Sequence, residues 1–233
     1  MTPHSSLLTR HCFFVTGTDT GVGKTMVACA LLHAFAVQGK SVVGMKPVTA
    51  GCEETPQGLR NNDVELLIAA STIKAPRHMV NPYALIPSIA PHIAAQQAGI
   101  EIKLAVIKTA FEQLRKTAEV VVVEGVGGFK VPLNSRQDSA DLAGLLGLPA
   151  ILVVGMRLGC LNHALLTLGA IVDSGLKLAG WVANCIDPHM AALQENLRAL
   201  EERLGRPPLG VFAFQPDLQP KELARELDIQ SLM

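Results

Sequence analysis

The chain has 233 residues, of which 49% are hydrophobic and 17% are charged, and its 20 basic residues balance its 20 acidic residues. A chain of this length and apolar content can bury a full core, and we expect a single domain over residues 1–233. The neutral charge balance, without a long basic run, excludes a general nucleic-acid or membrane-surface binder, so the expected partners are small molecules.

Residues 1–11 show no secretory signal, which favours a cytoplasmic protein with reduced cysteines. Apolar runs of strand length then alternate with helical segments, and none approaches the ~20 residues that cross a bilayer. The predicted strands are residues 12–16, 41–46, 119–124, 150–154, 178–184 and 209–213. The predicted helices are residues 24–38, 62–70, 102–117, 139–146, 160–174, 190–204 and a short polar one at 221–227. The proline-rich segment 74–92 is expected to be an irregular connection over the edge of the sheet.

Several of these strands are continuous Val, Ile and Leu, which is typical of a parallel sheet covered by helices on both faces. The first strand runs into a glycine-rich turn and a helix, the order that a phosphate-binding P-loop needs. The motif reads Gly17-Thr18-Asp19-Thr20-Gly21-Val22-Gly23-Lys24-Thr25. We therefore predict an α/β protein with the three-layer αβα P-loop NTPase fold and a mostly parallel central sheet.

The glycine-rich turn predicts a site for ATP and Mg²⁺. Small residues let successive backbone N–H groups point at phosphate oxygens, next to the positive end of the following helix. Lys24 would neutralise the β and γ phosphates, and the Thr25 hydroxyl would serve Mg²⁺. Thr18 replaces the usual first glycine of the motif, although Gly17 precedes it. A tight turn without a ligand is the alternative.

Three more polar residues stand at the ends of predicted elements. Glu124 follows a run of four valines, at the carboxyl end of a strand, where open α/β sheets bind ligands and where an acid can bind Mg²⁺. A solvated acid in a loop is the alternative for Glu124. Lys46 ends the second strand at the same edge, although a lone lysine there is equally often just solvated. Asp63 follows two asparagines, and taken alone its position fits a helix cap better than a metal ligand.

Two later motifs complete the pattern. They are Leu158-Gly159-Cys160-Leu161-Asn162-His163 and Gly180-Trp181-Val182-Ala183-Asn184. These two motifs, the P-loop and the segments around Lys46, Asp63 and Glu124 occur in the same order as in the dethiobiotin synthetase family. The chain closely resembles that family from about residue 13 to residue 184. The resemblance implies a homodimeric, Mg²⁺-dependent enzyme that converts 7,8-diaminopelargonate, CO₂ and ATP into dethiobiotin, ADP and phosphate.

The resemblance also implies roles for individual residues. The catalytic residues would be Lys24 and Lys46, which hold the γ-phosphate and carbamate oxygens, and the Mg²⁺ ligands would be Thr25, Asp63 and Glu124. The implied ATP contacts are Thr20, Gly21, Val22, Gly23, Lys24, Thr25 and, on the adenine base, Asn184. The implied substrate contacts are Lys46, Thr49 and the helix start at Gly159, Cys160, Leu161 and Asn162, which receives the substrate carboxylate from the neighbouring subunit. His163 is not expected to be catalytic.

Some positions depart from the family pattern, and other functions compete. Gly21 stands where some relatives carry an acid, Ala50 where some carry a serine, and no proline follows Gly210. A switch ATPase of the partition or cell-division type is disfavoured, because its loop carries an extra lysine where this chain has Asp19. Another ATP-dependent ligase on the same fold and a non-catalytic nucleotide sensor are the remaining alternatives.

Overall fold

The computed structural model describes residues 11–215 and 219–233. Its strands are β1 (His11–Gly17), β2 (Val42–Met45), β3 (Val48–Thr49), β4 (Glu53–Thr55), β5 (Gly58–Arg60), β6 (Tyr83–Ala84), β7 (Val120–Glu124), β8 (Ala150–Met156), β9 (Leu178–Cys185) and β10 (Gly210–Phe212). Its helices are α1 (Lys24–Val37), α2 (Asn62–Ala70), α3 (Arg77–Val80), α4 (Pro91–Gln97), α5 (Leu104–Thr117), α6 (Ser139–Leu146), α7 (Cys160–Asp173), α8 (Leu193–Leu204) and α9 (Pro220–Leu223). Within this part of the chain, no helix is both long and apolar enough to cross a membrane.

Six strands form the central sheet in the order β10-β9-β8-β1-β7-β2, and every neighbouring pair is parallel. Parallel neighbours need a long crossover connection, and here helices provide most of these connections. Two small ladders lie outside the sheet, the parallel pair β3–β6 and the antiparallel pair β4–β5. The carboxyl ends of β1, β2 and β7, which are neighbours, therefore lie together at one edge of the sheet.

Helices cover both faces of the sheet. Along β7, Val120 and Val122 belong to the apolar core under α1 and α2, whereas Val121 and Val123 belong to the core under α5 and α6. This alternation follows from the two-residue period of a strand. Farther along the sheet, Trp181 of β9 packs with α7 and α8 in a third apolar cluster. The predicted αβα layering with a mostly parallel sheet is confirmed.

Helix α1 is buried almost all the way round, because its sequence is apolar on every face. One side packs on the sheet, and the other is covered by the segment after residue 219, where Leu223, Leu227 and Ile229 share its core. Residues that are far from α1 in sequence thus cover the side of α1 that faces away from the sheet.

The structure differs from the predicted elements in a few places. Residues 74–92 are more ordered than predicted, because they contain α3, β6 and the start of α4, with Pro91 in the first turn, where proline is tolerated. This segment does lie beside the edge strand β2, since Lys46 N donates to Val80 O at 2.8 Å. Helix α8 starts at Leu193 rather than at residue 190, because Ala192 has a left-handed backbone with φ of 53°. The helix expected over 221–227 is the short α9 followed by a 3₁₀ turn at Ala224–Glu226.

Candidate active site

A cleft of about 700 Å³ opens at the edge of the sheet where β1, β2 and β7 end. Its walls come from the glycine-rich turn and α1, from the start of α2, and from the segment that leads into α4. The predicted residues among its lining are Thr20, Gly21, Gly23, Lys24, Thr25, Lys46, Thr49, Asp63 and Glu124. Five segments of the chain, residues 20–26, 46–50, 61–66, 88–91 and 124–131, thus meet in one concave site.

The turn between β1 and α1 has the backbone shape of a phosphate-binding loop. Gly21 and Gly23 have φ of 75° and 90°, a left-handed conformation that favours glycine. Gly23 caps α1, so the free N–H groups of the first helical turn face the cleft end of the sheet. Such a helix start binds anions well.

Lys24, the first residue of α1, is buried beside this turn. Its Nζ donates to the carbonyl oxygen of Asp19 at 2.9 Å. Burial lowers the pKa of Lys24 to about 8, although the nearby Glu124 carboxylate works in the opposite direction. An ammonium that is poorly solvated and held by one neutral oxygen is well suited to gain a phosphate partner.

Lys46 and two carboxylates form an ion-pair cluster deeper in the cleft. Lys46 Nζ donates to Asp63 Oδ2 at 2.7 Å and also to Glu124 Oε1. Thr25 Oγ1 donates to the same Glu124 Oε1 at 2.8 Å. Burial alone would lower the pKa of Lys46, but the charges of Glu124 and Asp63 outweigh it and raise the pKa. Lys46 therefore stays protonated.

The start of α2 shows which residue caps the helix. Asn61, not Asp63, caps the helix, because its side chain accepts from Asp63 N at 3.1 Å. The Asp63 carboxylate does not cap the helix; it lines the cleft, where it pairs with Lys46. The capping role considered from the sequence belongs to its neighbour.

The donor set around Glu124 fits a magnesium ion. Two carboxylates and the Thr25 hydroxyl offer only oxygen ligands, which Mg²⁺ prefers. Glu124 is 1% exposed, and its Oε2 has no hydrogen-bond partner among the described residues. A buried carboxylate oxygen without a partner is costly unless a cation or donor reaches it. Residues 11–215 and 219–233 contain no group of three or more His, Cys, Asp or Glu side chains that could hold a metal ion.

Thr49 lines the cleft, but its hydroxyl is occupied inside the protein. Thr49 Oγ1 donates to Asn81 Oδ1 at 3.2 Å, and Asn81 Nδ2 donates to the Lys46 carbonyl oxygen at 2.7 Å. Thr49 therefore helps to fix the backbone of Lys46. Asn81 was not among the predicted site residues, although it belongs to the short Asn-Pro-Tyr motif of this chain.

Asn184 stands at the end of β9 beside a second cavity of about 290 Å³. Its Nδ2 donates to Val22 O at 2.9 Å, which ties the glycine-rich turn to this strand. The cavity is lined mostly by apolar and aromatic side chains, including Phe212 and Phe214. Its place beside the phosphate loop and its apolar walls fit a nucleotide base.

The start of α7 lies outside the large cleft. Gly159, with φ of 93°, caps the helix, and Cys160, Leu161 and Asn162 form its first turn. Arg157, just before the cap, pairs with Asp19 of the glycine-rich turn, with 2.6 Å between Arg157 Nη2 and Asp19 Oδ2. The four predicted substrate contacts at this helix start are thus not joined to the cleft within one chain.

Comparisons with known proteins identify relatives over most of the chain. A family model described as an AAA domain matches residues 11–222. The ATP-dependent dethiobiotin synthetase BioD of Nitrosospira multiformis is 59% identical over 217 residues, which is 93% of this chain and 94% of the relative. The enzyme of the same name from Aromatoleum aromaticum is 54% identical over 92% of this chain and 96% of its own length.

Solved structures with the same fold are more distant in sequence. The cell division protein MinD of Aquifex aeolicus aligns with a TM-score of 0.55 at 14% identity, over 92% of this chain and 87% of its own. A ParA family ATPase from Chlorobium tepidum aligns with a TM-score of 0.55 at 15% identity, over 96% of this chain and 91% of its own. At such identities the likeness shows the P-loop ATPase fold alone.

Proposed function

This chain belongs to the ATP-dependent dethiobiotin synthetase family, and from that membership we propose that the large cleft carries out the reaction of the family. The chain is an ATP-dependent ligase that makes dethiobiotin from 7,8-diaminopelargonate, CO₂ and ATP. One substrate amine adds to CO₂ and loses a proton, which gives a carbamate. A carbamate oxygen then takes the γ-phosphoryl group and releases ADP, and the second amine attacks the carbamate carbon, expels phosphate and closes the ureido ring.

The convergence of Lys24, Lys46 and Glu124 at one cleft is the observation that carries the proposal. A carbamate and a γ-phosphate are both anions and repel each other, so the site must neutralise them where they meet. Two ammonium groups, one at the start of α1 and one just after β2, can do so. Lys24 is placed to bind the γ-phosphate, and Lys46 is placed to bind the carbamate. Holding the reactants in line then provides much of the acceleration.

Magnesium is the second part of the proposal. Thr25, Asp63 and Glu124 would hold the ion, which would offset negative charge on the β and γ phosphates. The unpartnered Glu124 Oε2 supports this assignment, because a divalent cation would satisfy it. Thr20 and residues 21–23 would donate to the phosphates, and Asn184 would contact the adenine base.

A homodimer is the third part. Helix α7 and the residue before its cap expose large apolar side chains, with Leu158 95% and Leu166 67% exposed, which supports packing against a second copy. The start of α7 would then face the cleft of the partner and bind the substrate carboxylate at its free N–H groups. The cytoplasmic location and the single-domain boundary remain predictions from the sequence.

The deciding experiment measures ADP release from ATP and Mg²⁺ with bicarbonate, with and without 7,8-diaminopelargonate. We expect ADP release that depends on the diamine and a product with the mass of dethiobiotin. Hydrolysis at the same rate without the diamine would favour a switch ATPase. No hydrolysis in either mixture would favour a nucleotide sensor.

A further inference from the structure

Lys46 occupies one oxygen of each of the two carboxylates that the proposed metal would need. Its ammonium group contacts Asp63 and Glu124 at once, and it is only 5% exposed. Glu124 Oε1 already accepts from Thr25 as well. The residue assigned to the substrate and the residues assigned to the metal are therefore one connected cluster.

Only the side chain of Lys46 is free to change partners. Its backbone N–H donates to Val80 O at 2.8 Å, and its carbonyl oxygen accepts from Asn81 Nδ2 at 2.7 Å. The residue follows β2, whose buried strand is fixed in the sheet. The four-carbon stem can rotate while the backbone stays in place.

Lys24 is held in a different way and provides an internal comparison. Its ammonium lines the same cleft, but the only hydrogen bond that it makes among the described residues goes to the carbonyl oxygen of Asp19. A cation arriving at Glu124 would repel Lys24 only at a distance. Lys46 contacts both carboxylates, so a cation bound between Asp63 and Glu124 would meet the Lys46 ammonium at close range. Two cations at the same pair of carboxylates repel strongly in a buried site.

We propose that Lys46 and Mg²⁺ compete for Glu124 and Asp63, so that metal binding releases the Lys46 ammonium into the cleft. This inference rests on the proposed function of the cleft and gives its steps an order. Lys46 would be free to hold a carbamate only once Mg²⁺ is in place. The cluster would thus prevent the site from binding the second anion before the first is neutralised.

Metal binding to the nucleotide-free protein tests the competition without any turnover. Calorimetric titration with Mn²⁺ as the probe would compare the unchanged protein, Lys46→Met and Lys24→Met. Both variants lose one positive charge from the cleft, but only the first loses the direct competitor. We expect Lys46→Met to bind Mn²⁺ at least about tenfold more tightly than the unchanged protein, and Lys24→Met to differ by less than about threefold.

Lys46→Arg, which keeps a cation at the carboxylates, should return the Mn²⁺ affinity toward that of the unchanged protein. Circular dichroism would verify that all variants are folded.

A second experiment uses the unchanged protein and applies even if Lys46→Met is misfolded. An amine reagent labels Lys46, and mass spectrometry measures the rate. We expect this rate to rise on addition of Mn²⁺. Equal Mn²⁺ affinities for Lys46→Met and the unchanged protein, or an equal gain in both methionine variants, would overturn the competition. A Lys46 labelling rate that does not change on addition of Mn²⁺ would also overturn the competition. Diamine-dependent ADP release by the unchanged protein would still stand in each case, so the two proposals fail separately.

Discussion

At the scale of single residues, the two lysines of the cleft differ in their partners and in the direction in which their pKa values are shifted. Lys24 is buried against a neutral carbonyl oxygen, and burial lowers its pKa. Lys46 is buried between two carboxylates, and their charges raise its pKa. Both ammonium groups are proposed to neutralise anions, but only Lys46 must first leave anionic partners.

The first prediction concerns turnover. Lys24→Ala should reduce diamine-dependent ADP release at least about a hundredfold, because its charge is proposed to act on the transferring phosphoryl group. Lys46→Ala should lose activity to a similar extent while ATP binding, measured by calorimetry, is largely kept. The matched control is Lys108→Ala on α5, an exposed lysine far from the cleft in the layer structure, which should be fully active. Near-normal turnover in Lys24→Ala would contradict the whole assignment.

The second prediction concerns stability and pH. Because burial lowers the pKa of Lys24 from 10.5 to about 8, the folded protein binds this proton less tightly than the unfolded chain does. The charged lysine therefore costs stability below about pH 8, and the cost disappears as pH rises toward 10.5. Lys24→Met should raise the free energy of unfolding at pH 7 by about 1–3 kcal/mol.

Urea unfolding of the nucleotide-free protein at several pH values would measure this effect. The gain of Lys24→Met over the unchanged protein should shrink between pH 8 and pH 10.5. Lys108→Met, at a lysine that is exposed on α5, should show no such trend. A gain that is the same at every pH, or a loss of stability at pH 7, would show that burial of the Lys24 charge is not the cause.

At the scale of elements, the glycine-rich turn depends on its contact with β9. A Cβ atom at Gly23 would lie 2.2 Å from Asn184 Nδ2, whereas one at Gly21 would have no neighbour within 4 Å. Both glycines have positive φ, so alanine strains the backbone at either position. Only Gly23→Ala also forces the Asn184 amide away from Val22.

The third prediction uses this pair. Gly21→Ala should cost about 1–2 kcal/mol of unfolding free energy from backbone strain alone. Gly23→Ala should cost more and should also weaken ATP binding, because the turn would lose its hydrogen bond to β9. Unfolding and ATP titration of both variants would measure this. Equal losses in the two would mean that the Asn184 contact adds nothing.

Comparison of these elements with the sequence shows which features were predictable. Long apolar runs predicted the six central strands closely, because a strand that is buried on both faces is apolar at nearly every position. The helices α3 and α4 were missed, because both are short, and because α3 begins just after Pro76 and α4 begins at Pro91. The two-residue ladder β3–β6 is too short for any alternation to appear.

The positions of some candidate residues in the fold were predictable from the sequence, but the contacts between their side chains were not. The strand-end positions of Lys46 and Glu124 placed them at one edge of the sheet, and the structure brings them together. Their direct pairing depends on side-chain conformation and on neighbouring loops, which no local pattern encodes. For the same reason the internal hydrogen bonds of Thr49 and the part played by Asn81 became visible only in three dimensions.

At the scale of the whole molecule, a shared fold supports different uses. MinD and ParA family ATPases share this architecture at 14% and 15% identity. In this chain, Asp19 of the glycine-rich turn pairs with Arg157 of the same chain. The pair joins the turn to the segment just before α7, where the second subunit is proposed to contribute.

The fourth prediction tests whether the site is shared between subunits. Lys46→Ala would disable one cleft, and Asn162→Asp would place a negative charge at the start of α7, which repels a substrate carboxylate but favours the helix itself. Each variant alone should be nearly inactive. Mixed and allowed to exchange subunits, the two should recover about a quarter of the unchanged activity, because half the dimers then hold one intact site.

The control mixes each variant with itself and should recover nothing. Analytical ultracentrifugation would verify that both variants are dimers and exchange subunits. If exchange occurs without recovered activity, the start of α7 acts within its own chain and the shared site is wrong.

The cover of α1 by the segment after residue 219 has a consequence for protein synthesis. The ribosome adds Phe35 long before Leu223, and at about 5–20 residues per second the interval is roughly 10–40 s. During that time α1 can pack against the nascent strands and α2, while the part of its apolar surface that the segment after residue 219 covers stays exposed. The newborn chain is therefore open to aggregation and to chaperone capture at α1, the helix that begins with Lys24.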